Sequence, residues 1–291
     1  MESNGKKLRE LFQREPLVVA PGAYDAFSAT LIENAGFEAV YMSGAALTLS
    51  LLGRPDIGYL SQTEMINSVR NIASAISVPL IADGDNGYGG PIQVMRTIEY
   101  YIKAGAAAIQ MEDQIFPKRC GFMQGKQLVS KEDAIAKIKA ACYVREKFDP
   151  DFVIIARTDA IAVNGIEDAL DRANAYRQAG ADVVYIEAPP SREIMERIGK
   201  ELDCAWRMTI YAEGCHTPLL SNDELTALGF KLVIHPATLP CTVAKAMQEA
   251  LRRFKLKGTP EDCEDMVLSF DDINALVRLN EIRALEQTFY Q

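Results

Sequence analysis

The feature that most restricts the fold is a unit repeated along the chain, a short and nearly continuous apolar run followed by a helix-like stretch. The runs fall at 17–20, 39–42, 79–82, 107–111, 152–156, 182–186, 207–211 and 231–235. Runs without polar–apolar alternation are what strands buried on both faces look like, as in parallel sheets covered by helices. Four of them follow a small motif, Ala35-Gly36, Ala104-Gly105, Ala179-Gly180 or Leu228-Gly229. Glycine there suits the left-handed position that closes a helix. The unit therefore reads helix, glycine stop, short loop, strand. Such alternation predicts an α/β fold of the (β/α)8 TIM-barrel type, with a doubly wound open sheet as the alternative. All of 1–291 is read as a single barrel domain, because no Gly-, Ser- or Pro-rich linker divides it. After Pro236 the pattern is helical, with a break near Gly258-Thr259-Pro260 and with Asp271 or Asp272 placed to cap a last helix. Residues 247–291 are read as a C-terminal helical extension that covers the barrel or packs on a second subunit.

Charge narrows the partners. The formal net charge is −9, which repels nucleic-acid phosphates and anionic lipid. No nucleic-acid or membrane partner is expected, and no apolar stretch reaches the length of about 18 residues that a spanning helix needs. The segment 1–16 is charged and lacks the apolar core of a secretory signal. The six cysteines, at 120, 142, 204, 215, 241 and 263, form no CxxC pair. They read as free thiols in a reducing compartment, the cytoplasm. The acidic balance is awkward for an anionic substrate unless a metal or a local arginine reverses the sign inside the site.

Barrel enzymes carry their chemistry at the C-terminal ends of strands, and here those ends are polar. They read Tyr41-Met42-Ser43-Gly44, Asp83-Gly84-Asp85, Glu112-Asp113-Gln114, Arg157-Thr158-Asp159 and Glu187, with Glu213 after the seventh run. Singly, Asp113 or Asp159 could be a helix N-cap and Asp83-Gly84-Asp85 a tight turn. Together, Asp83, Asp85, Glu112 and Glu187 would converge on one mouth, where like charges oppose one another. A divalent cation resolves that conflict, and all-oxygen ligands favour Mg²⁺, or Mn²⁺, over zinc. One aspartate is expected to bind directly and the others through water. Arg157 offers a fork that can grip a substrate carboxylate bidentately.

The stretch after the fourth run, Lys118-Arg119-Cys120-Gly121-Phe122-Met123-Gln124-Gly125-Lys126, places a thiol among three cations and two glycines. Cations lower a thiol pKa and make it an effective proton donor or nucleophile, and paired glycines suit a mobile lid. The other cysteines read as packing residues, His216 as a surface turn residue and His235 as structural. No GxGxxG, Walker A or GxSxG motif is present, and Gly87-Tyr88-Gly89-Gly90 reads as a turn.

With these motifs in order, the chain from about residue 17 to 246 resembles the isocitrate lyase/phosphoenolpyruvate mutase superfamily, and the Lys-Arg-Cys-Gly loop resembles its lyase branch, whose members include 2-methylisocitrate and 2,3-dimethylmalate lyases. The resemblance implies a barrel whose last helix is swapped between subunits in a homodimer or homotetramer. It implies that Asp85 holds Mg²⁺, with Asp83, Glu112 and Glu187 ordering its water. Ser43, Gly44, Ala45 and Arg157 would bind the carboxylate of a pyruvate-like product, Asp56 would be a further active-site aspartate, and Cys120 the general acid. Lys118, Arg119, Gly121, Glu187, Ile210 and Glu213 would contact substrate.

The chain departs from the family pattern at Phe122, usually histidine, at Ile210, often asparagine, and near Cys241, where methylisocitrate lyases show arginine. The last two positions help hold a remote carboxylate in tricarboxylate lyases, so their loss points to a smaller or more apolar substrate such as a methylated malate. The reaction implied is retro-aldol cleavage of a small 2-hydroxy di- or tricarboxylate to pyruvate or another 2-oxo acid plus a carboxylic acid. Tyr41 or a hydroxide at the metal would act as base, and Cys120 would protonate the enolate. Oxaloacetate hydrolysis or decarboxylation, and carbon–phosphorus chemistry of the carboxyphosphoenolpyruvate phosphonomutase kind, are the alternatives.

Overall fold

A computed structural model describes residues 3–204, 206–212 and 214–290. Eight strands, β1 (Val18–Ala23), β2 (Val40–Met42), β3 (Leu80–Asp83), β4 (Ala108–Glu112), β5 (Val153–Thr158), β6 (Val183–Ile186), β7 (Trp206–Ile210) and β8 (Leu232–His235), run parallel in sequence order. β1 pairs with β8, so the sheet closes on itself and the open doubly wound alternative is excluded. Every strand corresponds to one of the apolar runs. β1 alone runs well past its prediction, through Pro21 and Gly22 to Ala23. Gly22 lies so close to the end of β8 that a Cβ would come 2.6 Å from the Pro236 Cα. All four glycine stops hold the left-handed backbone that ends a helix, with φ of 87° at Gly36, 97° at Gly105, 112° at Gly180 and 81° at Gly229.

Side chains alternate across each strand, and this sorts the core into layers. Tyr41, Ile81, Ala108, Ile155, Tyr185, Met208 and Ile234 share one cluster inside the barrel. Their neighbours Val40, Met42, Leu80, Ala82, Ile109 and Ile154 pack outward with the surrounding helices. The inner layer is closed from below by the helix Asn4–Arg14, whose Leu8, Leu11 and Phe12 are buried in it. That helix lies in the segment read from sequence only as charged. The spacing of these three apolar side chains is that of one helical stripe. Two positions further along the inward rows stand Ser43, Asp83, Arg157 and Glu187, and in β4 Glu112 follows four positions after Ala108. The same alternation that fills the barrel thus delivers polar groups to its C-terminal mouth.

The C-terminal part is helical, as expected, over Thr238–Lys257, Pro260–Met266, Phe270–Leu276 and Leu279–Thr288. The break comes at Gly258, and the helix before it runs unbroken through residue 247. The cap at Phe270–Leu276 is Ser269, which accepts from the Asp272 amide; Asp271 and Asp272 lie in the first turn instead. A hydroxyl one residue upstream takes the capping position, while the carboxylates favour the positive end of the helix dipole. These helices expose Leu251, Phe254, Phe270, Ile282 and Phe289. Among the described residues, no helix is long and apolar enough to cross a membrane.

Candidate active site

β2 ends in Ser43, whose Oγ accepts from the Ala46 amide and caps the helix Gly44–Leu52. Gly44 donates its N–H to Asp83 Oδ2 at 3.2 Å. Two first-turn amides of this helix, Gly44 and Ala46, are thus satisfied inside the protein, by Asp83 and by Ser43. Asp83 also accepts the Asp85 amide on Oδ1 at 3.0 Å, so both its oxygens organise the loop backbone. This tight turn puts Asp85 in the left-handed region, φ 46°, which a non-glycine residue occupies at some cost. Gly84 between them abuts Ile109, whose side chain would be 2.5 Å from an added Cβ.

The carboxylates crowd as expected. Asp85, Glu112 and Glu187 are all buried, and burial pushes each carboxyl pKa up, to about 6 at Asp85. Asp85 Oδ1 meets the Lys118 ammonium at 2.8 Å as an ion pair but accepts no directed hydrogen bond, and Glu112 Oε1 and Glu187 Oε1 have no hydrogen-bond donor. Lys118 lies 2.7 Å from Asp56 as well. Burial opposes its charge, yet Asp85, Glu112 and Asp56 outweigh that and raise its pKa well above the ordinary lysine value. Unpaired buried carboxylate oxygens call for positive charge. Among the described residues, no three acidic, histidine or cysteine side chains stand close enough to hold an ion by themselves. The all-oxygen donor set, with buried Glu112 and Glu187 oxygens that have no donor, fits a hard divalent cation rather than a soft one.

Arg157 is used differently from the expectation. Its Nε and Nη2 both bond Asp159, at 2.9 Å each, so the bidentate edge of the fork is spent inside the protein. Glu112 and Glu187 stand 3.5 and 3.6 Å away. A ligand carboxylate meets only the remaining part of the guanidinium. Nor is Asp159 a helix cap. It is fully buried, and although burial favours its neutral form, Arg157 and Lys126 hold its pKa below the usual aspartate value. Asp113 is no cap either. It accepts from Thr158 Oγ1, the Asp159 amide, Tyr176 and Arg172, and so ties the end of β5 to the helix Ile166–Gln178.

The thiol loop lies over this mouth. Gln114, at its base, clasps the backbone of Arg119 with both ends of its amide. The Cys120 amide bonds Asp56 O at 3.2 Å. Gly121 packs so closely that a Cβ would fall 1.9 Å from Glu187 Oε1. Cys120 does not have the lowered pKa that neighbouring cations suggested. Burial raises it, Asp56 and Glu187 add to the rise, and the Phe122 backbone and Arg157 offset only part. The cations are engaged elsewhere: Lys118 with Asp56 and Asp85, and Arg119 with the Gln124 carbonyl. The thiol is thereby kept protonated, the form a proton donor needs. Tyr41 is likewise held as a phenol, by burial and by Asp83, and is a donor rather than a resting base.

One cavity of about 160 Å³ joins most of these groups, although Asp85 and Gly44 do not line it. Tyr41, Ser43, Ala45, Asp56, Asp83, Glu112, Lys118, Arg119, Cys120, Gly121, Arg157, Glu187 and Ile210 all line it. The rest of the lining is largely apolar and includes Leu49, Phe122, Ile210, Ala212, Pro240 and Cys241. Glu213 lies outside the described residues. His216 is exposed, as read from sequence. Sequence reasoning missed Gln114, Lys126 and Asp159 as site builders. Each was visible as a polar residue beside a motif, but its partner was not.

Residues 8–255 match the family model described as phosphoenolpyruvate phosphomutase. The chain is 44% identical over 283 residues to 2,3-dimethylmalate lyase of Eubacterium barkeri, covering 97% of both chains. A solved 2,3-dimethylmalate lyase, titled a PEP mutase/isocitrate lyase superfamily member, superposes with a TM-score of 0.92 at 36% identity, over 99% of this chain and 96% of that one. A phosphonopyruvate hydrolase solved with oxalate and Mg²⁺ superposes with a TM-score of 0.89 at 31% identity over all of both chains. A closed barrel with carboxylates and a thiol loop at its mouth, matched along nearly its whole length by these proteins, belongs to the phosphoenolpyruvate mutase/isocitrate lyase superfamily.

Proposed function

We propose that the protein is a divalent-metal-dependent carbon–carbon lyase that cleaves a small 2-hydroxy dicarboxylate with an apolar substituent, as 2,3-dimethylmalate has, into pyruvate and a carboxylic acid. The observation that carries this reading is the single cavity shared by the thiol of Cys120, the guanidinium of Arg157 and the carboxylates of Asp83, Glu112 and Glu187. The 44% identity to a 2,3-dimethylmalate lyase supports it. Among the described lining residues the cations are Lys118, Arg119 and Arg157, all on the side of the lid and β5. Among the described lining residues from Ile210 to Cys241 none is charged, so they offer no partner to a third carboxylate but suit methyl groups.

Asp85, with Asp83, Glu112 and Glu187 acting through water, would hold Mg²⁺ or chemically similar Mn²⁺, which would supply charge neutralisation at the 2-hydroxyl and its carboxylate. The Gly44–Leu52 helix end and Arg157 orient that carboxylate. Tyr41 donates to the oxygen that becomes the carbonyl. The hydroxyl proton passes to the mouth carboxylates, where Glu112 and Glu187 each keep an oxygen without a donor. The bond from the carbinol carbon to its neighbour breaks, and its electron pair enters the departing carboxylate as an enolate. The Cys120 S–H gives its proton to that carbon, and the thiolate recovers a proton from the acidic cluster afterwards. The lid over the cavity keeps water from the enolate.

The exposed apolar faces of the C-terminal helices fit a second copy of the chain, in a dimer or tetramer. An apolar groove beside the first of these helices is lined by Leu31, Ile32, Phe37, Leu239 and Val243.

A panel assay with Mg²⁺ tests the activity, following 2-oxo acid release from the hydroxy acids, oxalate and acetate from oxaloacetate, and phosphate or phosphoenolpyruvate from phosphonopyruvate. It should contain 2,3-dimethylmalate, 2-methylisocitrate, oxaloacetate and phosphonopyruvate. Dimethylmalate is expected to exceed methylisocitrate in kcat/KM by on the order of 10²-fold, because the third carboxylate would be desolvated without a partner. Faster turnover of phosphonopyruvate or oxaloacetate would overturn the reading.

A further inference from the structure

The lid carries a cation that the reaction does not consume. Lys126 lies five residues beyond Gly121, and its side chain is only 2% exposed. Its ammonium donates to the Gly121 carbonyl at 2.5 Å and to Asp159 Oδ1 at 2.8 Å. The same Asp159 oxygen receives Arg157 Nη2, and its other oxygen receives Arg157 Nε. Gly121 is the residue after Cys120, and its Cα face rests on Glu187 and Arg157. One ammonium therefore bridges the peptide that carries the thiol and the carboxylate that orients the arginine.

We propose that Lys126 is a positioning residue that latches the Cys120 lid shut and, through Asp159, couples closure to the setting of Arg157. The inference rests on the reading of Cys120 and Arg157 as parts of one site. A buried ammonium tolerates the loss of a partner poorly, so the two bonds form or break together. When the lid lifts, the Gly121 carbonyl leaves, and Lys126 leaves Asp159 with it. Asp159 then holds Arg157 alone, and the guanidinium is fixed by one contact fewer. Conversely, a ligand carboxylate that settles on Arg157 keeps Asp159 in place as the landing point for Lys126.

The test measures Cys120 exposure rather than turnover, so it stands whether or not the substrate is right. Wild type, Lys126→Met and Lys126→Arg are alkylated with iodoacetamide, with and without pyruvate and Mg²⁺, and each cysteine-containing peptide is followed by mass spectrometry. Lys126→Met should be alkylated at Cys120 about tenfold faster than wild type, and pyruvate should protect it less. Lys126→Arg, which can still reach Asp159, should restore most of the protection. Cys142 and Cys204 are partly buried away from the lid and report global loosening. Their rates should not change. In turnover, Lys126→Met should lower kcat more than it raises KM. Unchanged Cys120 alkylation in Lys126→Met would overturn the proposal, and so would a rise shared equally by Cys142 and Cys204.

Discussion

Replacing Cys120 with alanine is expected to lower kcat by about 10²- to 10⁴-fold, the range that a positioned general acid contributes. Pyruvate with Mg²⁺ should still bind, because the groups proposed to hold it belong to β2, β3 and β5 rather than to the thiol. Cys120→Ser should lose nearly as much, since a hydroxyl is a far weaker acid. Steady-state turnover set beside calorimetric titration with pyruvate checks both halves. The wild-type pH profile follows from the same geometry. Burial raises the Cys120 pKa, so the protonated, active form persists to higher pH than for an ordinary thiol. Activity should therefore fall on the alkaline side only beyond the usual thiol range, and Cys120→Ala should lack that limb. Near-wild-type turnover in the alanine variant would remove the thiol from the mechanism.

The second large effect is expected at Asp85. Asp85→Ala should reduce turnover by about 10³-fold or more, because Lewis-acid stabilisation is worth several kcal/mol and each ~1.4 kcal/mol is a factor of ten. The variant should also lose the rise in melting temperature that Mg²⁺ gives wild type, since a ligand stabilises only the state that binds it. Asp83→Ala should act by another route. Its two oxygens hold the Gly44 and Asp85 amides, so its loss disturbs the loop. A Mg²⁺-induced shift that survives in Asp85→Ala would show that the direct ligand is another residue.

The barrel was legible because its two signals are local. An apolar run records burial on both faces, and a glycine after a helix records a left-handed backbone. Neither depends on a distant residue. The mouth was legible as composition, because period-two alternation beneath it is fixed by the strands and only the strand ends can be polar. The charge state of the mouth was not legible, because it depends on pairings far apart in the chain. Asp113 bonds Tyr176, 63 residues away, and Lys126 bonds Asp159, 33 residues away. Without those partners, Asp113 and Asp159 look like helix caps, Arg157 looks like an uncommitted fork, and three cations look as if they must lower the pKa of Cys120. Once Lys118 is spent on Asp56 and Asp85, and Arg157 on Asp159, burial dominates at the thiol. The Asn4–Arg14 plug was missed for a different reason. Its stripe of Leu8, Leu11 and Phe12 is short, and the charges around it are more conspicuous.

The central claim is that the enolate formed over the acidic cluster takes its proton from the lid thiol. Cleavage of 2,3-dimethylmalate with Mg²⁺ in D₂O, followed by proton and deuterium NMR, tests it most directly. The predicted result is propionate carrying one deuterium at C2, pyruvate free of enzyme-introduced label, and no such propionate from Cys120→Ala on the same timescale. Label entering the pyruvate methyl group instead, or labelled propionate formed equally fast without the thiol, would contradict it.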